Sequence, residues 1–307
     1  MAKSYSITSY AVLVPDTCDT CEKVRRHCAA VAGRARWIEI DCDAATYDGG
    51  TSGLDPALHL LDAAPEDIAR FILILDATNF GSGWFDELDV PEGEIATNVF
   101  ARRLTLHSRA QGQPWSASEL RRIDAAQVAE VLGQDPKHQL LALYGDALRQ
   151  LGCWLGDRSA LDAVGAARGS ASRLVRQLAE GMPAYADPLL LKRAQITAND
   201  LALANVADFH DIDRLTIFAD DLVPHVLRSD GVLRYAEALA ARVDRQDPLR
   251  HGEPMEIEIR ACAVEACERL AARAGIAPRT LDNWLWHRGH TLVQSEMRPH
   301  RTRTTAY

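Results

Sequence analysis

The sequence predicts a mainly α-helical protein with a few short strands in its N-terminal part. Beyond residue 115 the chain is a succession of alanine-, leucine- and arginine-rich stretches with helical spacing. Runs with strand character are few, and all of them lie before residue 76. They are YAVLV (10–14), RWIEID (36–41) and FILIL (71–75), rich in branched and aromatic residues. Helix is predicted over 116–132, opened by a Ser116–Glu119 capping box, over 138–152, and over 169–181, where Gly181 and Pro183 stop it. Further helical stretches run from Lys192 to Leu203 and over 256–270. Linkers are short, with no repeat and no low-complexity segment. The expected arrangement is an N-terminal α+β part, 1–115, packed on a helical core, 116–307, as one unit.

At 307 residues the chain can bury a full core. Its formal net charge of −9 argues against a nucleic-acid polymer as partner, because backbone binding needs clustered cations. The basic stretch is the tail, with Arg288, Arg298, Arg301 and Arg303 plus His287, His290 and His300, adequate for a single phosphate. No apolar run reaches membrane-spanning length and MAKSYSITSY has no signal-peptide pattern, so a cytoplasmic protein is expected. The seven cysteines, an odd number unevenly spread, suit reduced thiols. Cys18, Cys21, Cys28 and Cys42 are enough thiols for zinc. However, the second pair is spread over fourteen positions and Cys28 falls on an amphipathic helix with Val24, so no metal is expected. Cys262 and Cys267 read as packing.

Residues 187–228 are the most informative. On a helix from Lys192, the residues Lys192, Gln195, Ile196, Asn199 and Leu203 share one face, and Leu190, Ala194, Ala198 and Leu201 another. Arg193, Thr197 and Asp200 are left on a side expected to face water. A lysine and two amides in a half-buried stripe cost desolvation energy unless paired, although a lysine there can also snorkel. LTIFAD then delivers Asp220 and Asp221 before Val-Pro, where Pro224 is expected to hold Val223 extended and interrupt any helix. An aspartate at such a break can point into a cleft; it can equally cap the helix that follows.

Five pieces carry a resemblance: LDATNFGSGWF (75–85), KRAQITANDL (192–201), LTIFADDLVPHVLR (215–228), EIEIRACAVEACERL (256–270) and LDNWLWHRG (281–289). In their order they resemble the queuosine-salvage protein family, nucleoside glycosidases that release queuine from queuosine 5′-phosphate, most closely its bacterial branch. The resemblance implies that the helical C-terminal part is similar to the helix-hairpin-helix DNA glycosylases. It also implies hydrolysis of an N-glycosidic bond with water, without metal or organic cofactor, on a small modified purine nucleotide. The alternatives are a different modified purine nucleoside or nucleotide, or a binding protein that has lost catalysis.

Breaking such a bond builds positive charge on the ribose, so the site needs a carboxylate, flat groups around the base and donors to the leaving base. Asp220 matches the aspartate of the family's Phe-Ala-Asp triplet and is the implied carboxylate, with Lys192 as its partner or as a phosphate or ribose ligand. Asp221 and Leu222 stand where eukaryotic members have Tyr-Arg. Asn79 and Phe80 are candidates for reading and stacking on the base, with Trp84 as the opposite wall. The family's Asn-Phe-Cys-Phe-Trp is Asn-Phe-Gly-Ser-Gly-Trp here, one residue longer. Gln195, His225, Glu258, Arg260, Asp282 and Trp286 complete the substrate-binding candidates. Glu258 and Arg260 lie on opposite margins of their helix, which favours pairing with other elements. Asp282 and Trp286 share a helical face.

Overall fold

The computed structural model describes residues 19–47, 53–187, 190–292 and 297–307. Among these residues the elements run α1 (Thr20–Ala32), β1 (Ile38–Ile40), α2 (Pro65–Ala77), α3 (Ala96–Gln111), α4 (Ala117–Leu120), α5 (Ala125–Leu132), α6 (Gln139–Leu155), α7 (Ala160–Gly165) and α8 (Ala171–Gly181). They continue with α9 (Lys192–Leu203), α10 (Leu222–Ser229), β2 (Leu233–Tyr235), α11 (Glu237–Asp244), α12 (Pro254–Ala274) and α13 (Pro278–Leu292). The mainly helical expectation holds.

Local chemistry explains most boundaries. The Ser116–Glu119 capping box forms as predicted. A second box, Asp124–Gln127, restarts the chain as α5, so the single helix expected over 116–132 is two, turned at 121–124. Helix α8 ends at Gly181, ahead of Pro183. YAVLV lies outside the described residues. RWIEID supplies β1, paired antiparallel with β2 in the register Ile38↔Tyr235 and Ile40↔Leu233. FILIL is a correction: it is the middle of α2, with Pro65 in the first turn followed by Glu66 and Asp67. Phe71, Ile72, Leu73 and Ile74 are all buried, so burial on every side hid the helical period. Pro224 is a second correction. It sits in the first turn of α10, where a missing N–H costs nothing, and the helix runs through it.

Two hydrophobic clusters form the interior. One gathers α2 to α9, with Phe71, Leu140, Leu148, Leu174 and Leu201 fully buried. The other gathers α1, the two strands and α10 to α13, with Cys28, Val226, Ile259, Cys262 and Leu285 at its centre. Residues 19–47 thus pack with the C-terminal helices, α1 lying along α12. The seam between the clusters is the segment 215–219. Leu215 and Phe218 point into the first cluster, Ile217 and Ala219 into the second. Asp220 stands at the end of that seam.

Candidate active site

Lys192 opens α9, placed there by Leu191, whose backbone lies in the left-handed region at φ +52°. A branched side chain at positive φ is strained, and such strain concentrates at functional sites. Lys192 is 3% exposed, and its ammonium donates to the Asn79 carbonyl at 3.3 Å and to Asn79 Oδ1 at 3.0 Å. Burial lowers its pKa, and the charge that opposes burial most strongly is Asp220, followed by Asp221 and Asp282. Lys192, Asn79 and three aspartates from two different segments are therefore brought together.

The seam segment is clamped from both sides. Gln195 accepts from the Thr216 N–H at 2.9 Å and donates to Thr216 Oγ1 and to the Leu190 carbonyl, both at 2.8 Å. Asp282 on α13 accepts from the Phe218 N–H at 2.8 Å. Gln195 thus holds the segment that presents Asp220. The Asp220 side chain itself caps α10, Oδ1 accepting from the N–H groups of Leu222 at 2.9 Å and Val223 at 3.2 Å. Capping and a place beside Lys192 coexist in one residue.

The neighbouring acids hold protons unusually well. Burial first, and then the charge of Asp220, pushes Asp282 up to about 8. The same two causes push Asp221 up to about 7, opposed by a hydrogen bond with Ser82. Two carboxyls that carry protons near neutrality thus flank Asp220, which engages two backbone donors.

Other candidates lie elsewhere. Phe80 is buried, its ring edge-on to Tyr144 at 4.9 Å and covered by the Arg193 guanidinium at 4.4 Å, so neither face is open for stacking. Trp84 is also buried, with Nε1 donating to Gln139 at 3.3 Å. Glu258 accepts the N–H groups of Arg36 at 3.0 Å and Trp37 at 2.9 Å, tying down the entry to β1. Arg260 pairs with Asp187 at 2.7 Å and Glu256 at 3.4 Å, and donates to the Ala219 carbonyl at 3.0 Å. Trp286 is half-buried on α13, edge-on to His287. His225, one turn past Asp221, is buried with neither ring nitrogen hydrogen-bonded; burial and Arg228 lower its pKa to about 4, so it is neutral.

One expectation is overturned. Arg193, Thr197 and Asp200 do not face water: all are buried against α2 and α8. Arg193 donates to the carbonyls of Asp76 and Ala77 at the end of α2, of Ala184, and of Thr305. Of the tail arginines, Arg301 and Arg303 both pair with Glu87 and Arg288 pairs with Asp230, while Arg298 is exposed. His300, Thr302, Thr304 and Tyr307 are buried, with Tyr307 accepting from the Gly81 N–H at 2.9 Å. Cys18 lies outside the described residues. Cys21 and Cys28 belong to different clusters, and burial pushes the Cys21 thiol up to about 12. Among the described residues no group of three or more His, Cys, Asp or Glu is arranged for a metal ion.

Sequence reasoning missed Ser82, Asp76 and Asp200. Asp76 was legible as a carboxylate inside the apolar run LILDA, the same signal that exposed Lys192. Two surface hollows, about 340 Å³ around Trp154 and Glu180 and about 240 Å³ around Leu60 and Ser108, include none of these residues.

Comparison with known proteins agrees with the motifs. The family model described as "Queuosine salvage protein" matches residues 58–307. A protein of Sphaerobacter thermophilus named queuosine 5′-phosphate N-glycosylase/hydrolase is 34% identical over 276 residues, 81% of this chain and 84% of its own. Proteins of the same name are 27% identical in Dictyostelium discoideum, over 78% of each chain, and 28% identical in Mus musculus, over 71% of this chain and 72% of that one.

Proposed function

Because this chain belongs to the queuosine salvage protein family, we propose that it hydrolyses the N-glycosidic bond of queuosine 5′-phosphate and releases queuine for salvage. The observation that carries this reading is the grouping of Lys192 and Asn79 with Asp220, Asp221 and Asp282. It supplies a carboxylate, a cation and acids protonated near neutrality within one half-buried place.

In the proposed reaction the C–N bond to the base breaks and its electron pair leaves with the base. Asp220 stabilises the positive charge developing on the ribose and takes a proton from the water whose oxygen bonds to the sugar carbon. The departing base takes a proton from Asp282 or Asp221, and exchange with solvent restores both carboxyls. Lys192 serves the phosphate or the ribose hydroxyls, held in place by Asn79. No step calls on a cofactor. The substrate is a small nucleotide rather than a polymer, in keeping with the net charge of −9. A cytoplasmic setting is part of the proposal, and the free cysteines suit it; no helix among the described residues is long and apolar enough to cross a membrane.

The test is incubation with queuosine 5′-phosphate followed by chromatography for queuine and ribose 5-phosphate. Both products should appear in equal amounts. Asp221 and Leu222, standing where eukaryotic members have Tyr-Arg, favour one second reading, a different modified purine nucleotide as substrate. Hydrolysis of such a nucleotide with queuosine 5′-phosphate left intact would establish it. Tight binding without release of base would instead point to a binding protein.

A further inference from the structure

Turnover at the proposed site needs Lys192 and Asp220 at a fixed separation, because a misplacement of about 1 Å can cost about a hundredfold in rate. The two are carried by different parts of the molecule. Lys192 is tied to Asn79, just past the end of α2. Asp220 follows Ala219, which packs in the second apolar cluster. Gln195 ties α9 to the seam only at Thr216, upstream of Asp220. Next to Asp220 itself the main chain is held by Arg260, whose Nε donates to the Ala219 carbonyl at 3.0 Å.

Arg260 is 1% exposed, and the rim of its guanidinium meets Asp187 at 2.7 Å and Glu256 at 3.4 Å. Those contacts leave its faces to be covered by something else. One face carries the Tyr307 ring, 4.2 Å from the guanidinium carbon to the ring centroid, a cation–π contact shielded from water. Tyr307 is 2% exposed. Its main-chain carbonyl accepts the Gly81 N–H at 2.9 Å, just beyond Asn79 and Phe80, and its hydroxyl shares a hydrogen bond with His300 Nε2 at 3.1 Å. One residue thus touches the Asn79 loop with its main chain and, with its ring, the arginine that holds the peptide before Asp220.

We propose that Tyr307 is a positioning residue, a brace between the two halves of the site that fixes Asp220 relative to Lys192 and Asn79. Its main chain bears on Gly81 and its ring face bears on Arg260. A side chain of similar bulk without a π face would fill the space but leave the guanidinium freer to tilt away from Ala219. The hydroxyl serves the tail, since its partner His300 belongs there. The proposal rests on the glycosidase reading only for its effect on turnover; the Arg260 contact can be followed without substrate.

Tyr307→Leu keeps the main-chain carbonyl and much of the bulk but loses the face, whereas Tyr307→Phe keeps the face and loses the hydroxyl. With queuosine 5′-phosphate, kcat of Tyr307→Leu should fall by about tenfold or more while KM changes by less than about threefold. Tyr307→Phe should restore kcat to within about threefold of the wild type. Without substrate, the Arg260 Nε–H is followed by NMR of protein with isotope-labelled arginine and assigned with Arg260→Lys. It should exchange with solvent faster in Tyr307→Leu and at the wild-type rate in Tyr307→Phe. Wild-type kcat or wild-type exchange in a folded Tyr307→Leu overturns the proposal. So does a Tyr307→Phe that loses as much as Tyr307→Leu, which would assign the effect to the hydroxyl. Should Tyr307→Leu not fold, increasingly fluorinated phenylalanines at position 307 decide, since they keep the ring and drain charge from its face. Exchange should quicken and kcat fall along that series, and a flat series overturns the brace. Absence of queuine release by the wild type would remove the glycosidase reading, while the Arg260 exchange would still judge the brace.

Discussion

At the scale of the residue, Asp220 joins two duties that substitution can separate. Asp220→Asn keeps an oxygen for the Leu222 and Val223 N–H groups but removes the charge. Turnover of queuosine 5′-phosphate should fall by about two orders of magnitude or more while the melting temperature stays near that of the wild type. Asp220→Ala should in addition cost about 1 kcal/mol of stability as the cap is lost, read from denaturant unfolding. Near-normal turnover in Asp220→Asn would pass the role to another carboxyl. Asp282 makes a prediction about pH. Its proton affinity in the folded chain, about 8, exceeds the open-chain value of 3.8, so the native state binds the proton more tightly. The stability this gives is complete below the open-chain value and is lost as pH rises toward about 8. Asp282→Asn keeps the acceptor for the Phe218 N–H and removes the titration, so it should gain on the wild type in urea unfolding between about pH 5 and about pH 8. Parallel curves for the two proteins would show that Asp282 is ionised throughout. Phe80 is a third case. Sequence order suggested a platform for the base, but the ring lies between Tyr144 and Arg193, so Phe80→Ala should cost about 3–5 kcal/mol of stability. A variant with unchanged stability and weakened ligand binding would reverse that assignment.

At the scale of the element, the tail and the loop after α2 behave as one piece. A Cβ on Gly83 would lie 2.3 Å from the Thr302 carbonyl oxygen, which is backbone and cannot step aside cheaply. Gly83→Ala should therefore lift the tail, destabilise the protein by about 1–3 kcal/mol and open residues 299–307 to limited proteolysis. Equal proteolytic resistance in variant and wild type would show that the loop absorbs the extra methyl. Helices with caps and a polar side were legible in the sequence. The Ser116 box, the stop at Gly181 and the span Lys192–Leu203 all follow from short-range chemistry. Helix α2 was not, because a run buried on all sides shows no period and its length alone suits a strand. Nor was the burial of Arg193 and Asp200, since a polar side of a helix reads as wet until the partner that covers it is known. The grouping of Lys192 with Asp220 was legible because both interrupt apolar runs. Asp282 could be flagged only as a possible neighbour.

At the scale of the whole molecule, acidity and the internal use of cations set how a phosphorylated substrate can be held. Arg260 is engaged by Asp187 and Glu256, and Arg301 and Arg303 by Glu87, which leaves Lys192 as the cation facing the aspartates. The 5′-nucleotide should be a better substrate than the nucleoside by about tenfold or more, the worth of one charge-assisted contact. That preference should persist when salt is added, because a buried ammonium is screened far less than a surface arginine. Kinetics on both substrates at two ionic strengths measure it, and a preference that vanishes in salt would move phosphate binding to the surface. The arrangement behind this joins two apolar clusters along 215–219, and within the second α1 packs on α12. Pairings so distant in sequence leave no local pattern to read.

The strap formed by the tail also has a consequence in time. Arg301 donates to the Gly83 carbonyl across 218 positions of sequence, and the Gly81 N–H waits for Tyr307. A ribosome adding roughly 5–20 residues per second needs about 10–40 s to travel that distance. During that interval Trp84 and its loop are already made but lack their cover. The loop 81–84 therefore gains its partners only once residues 301–307 have emerged.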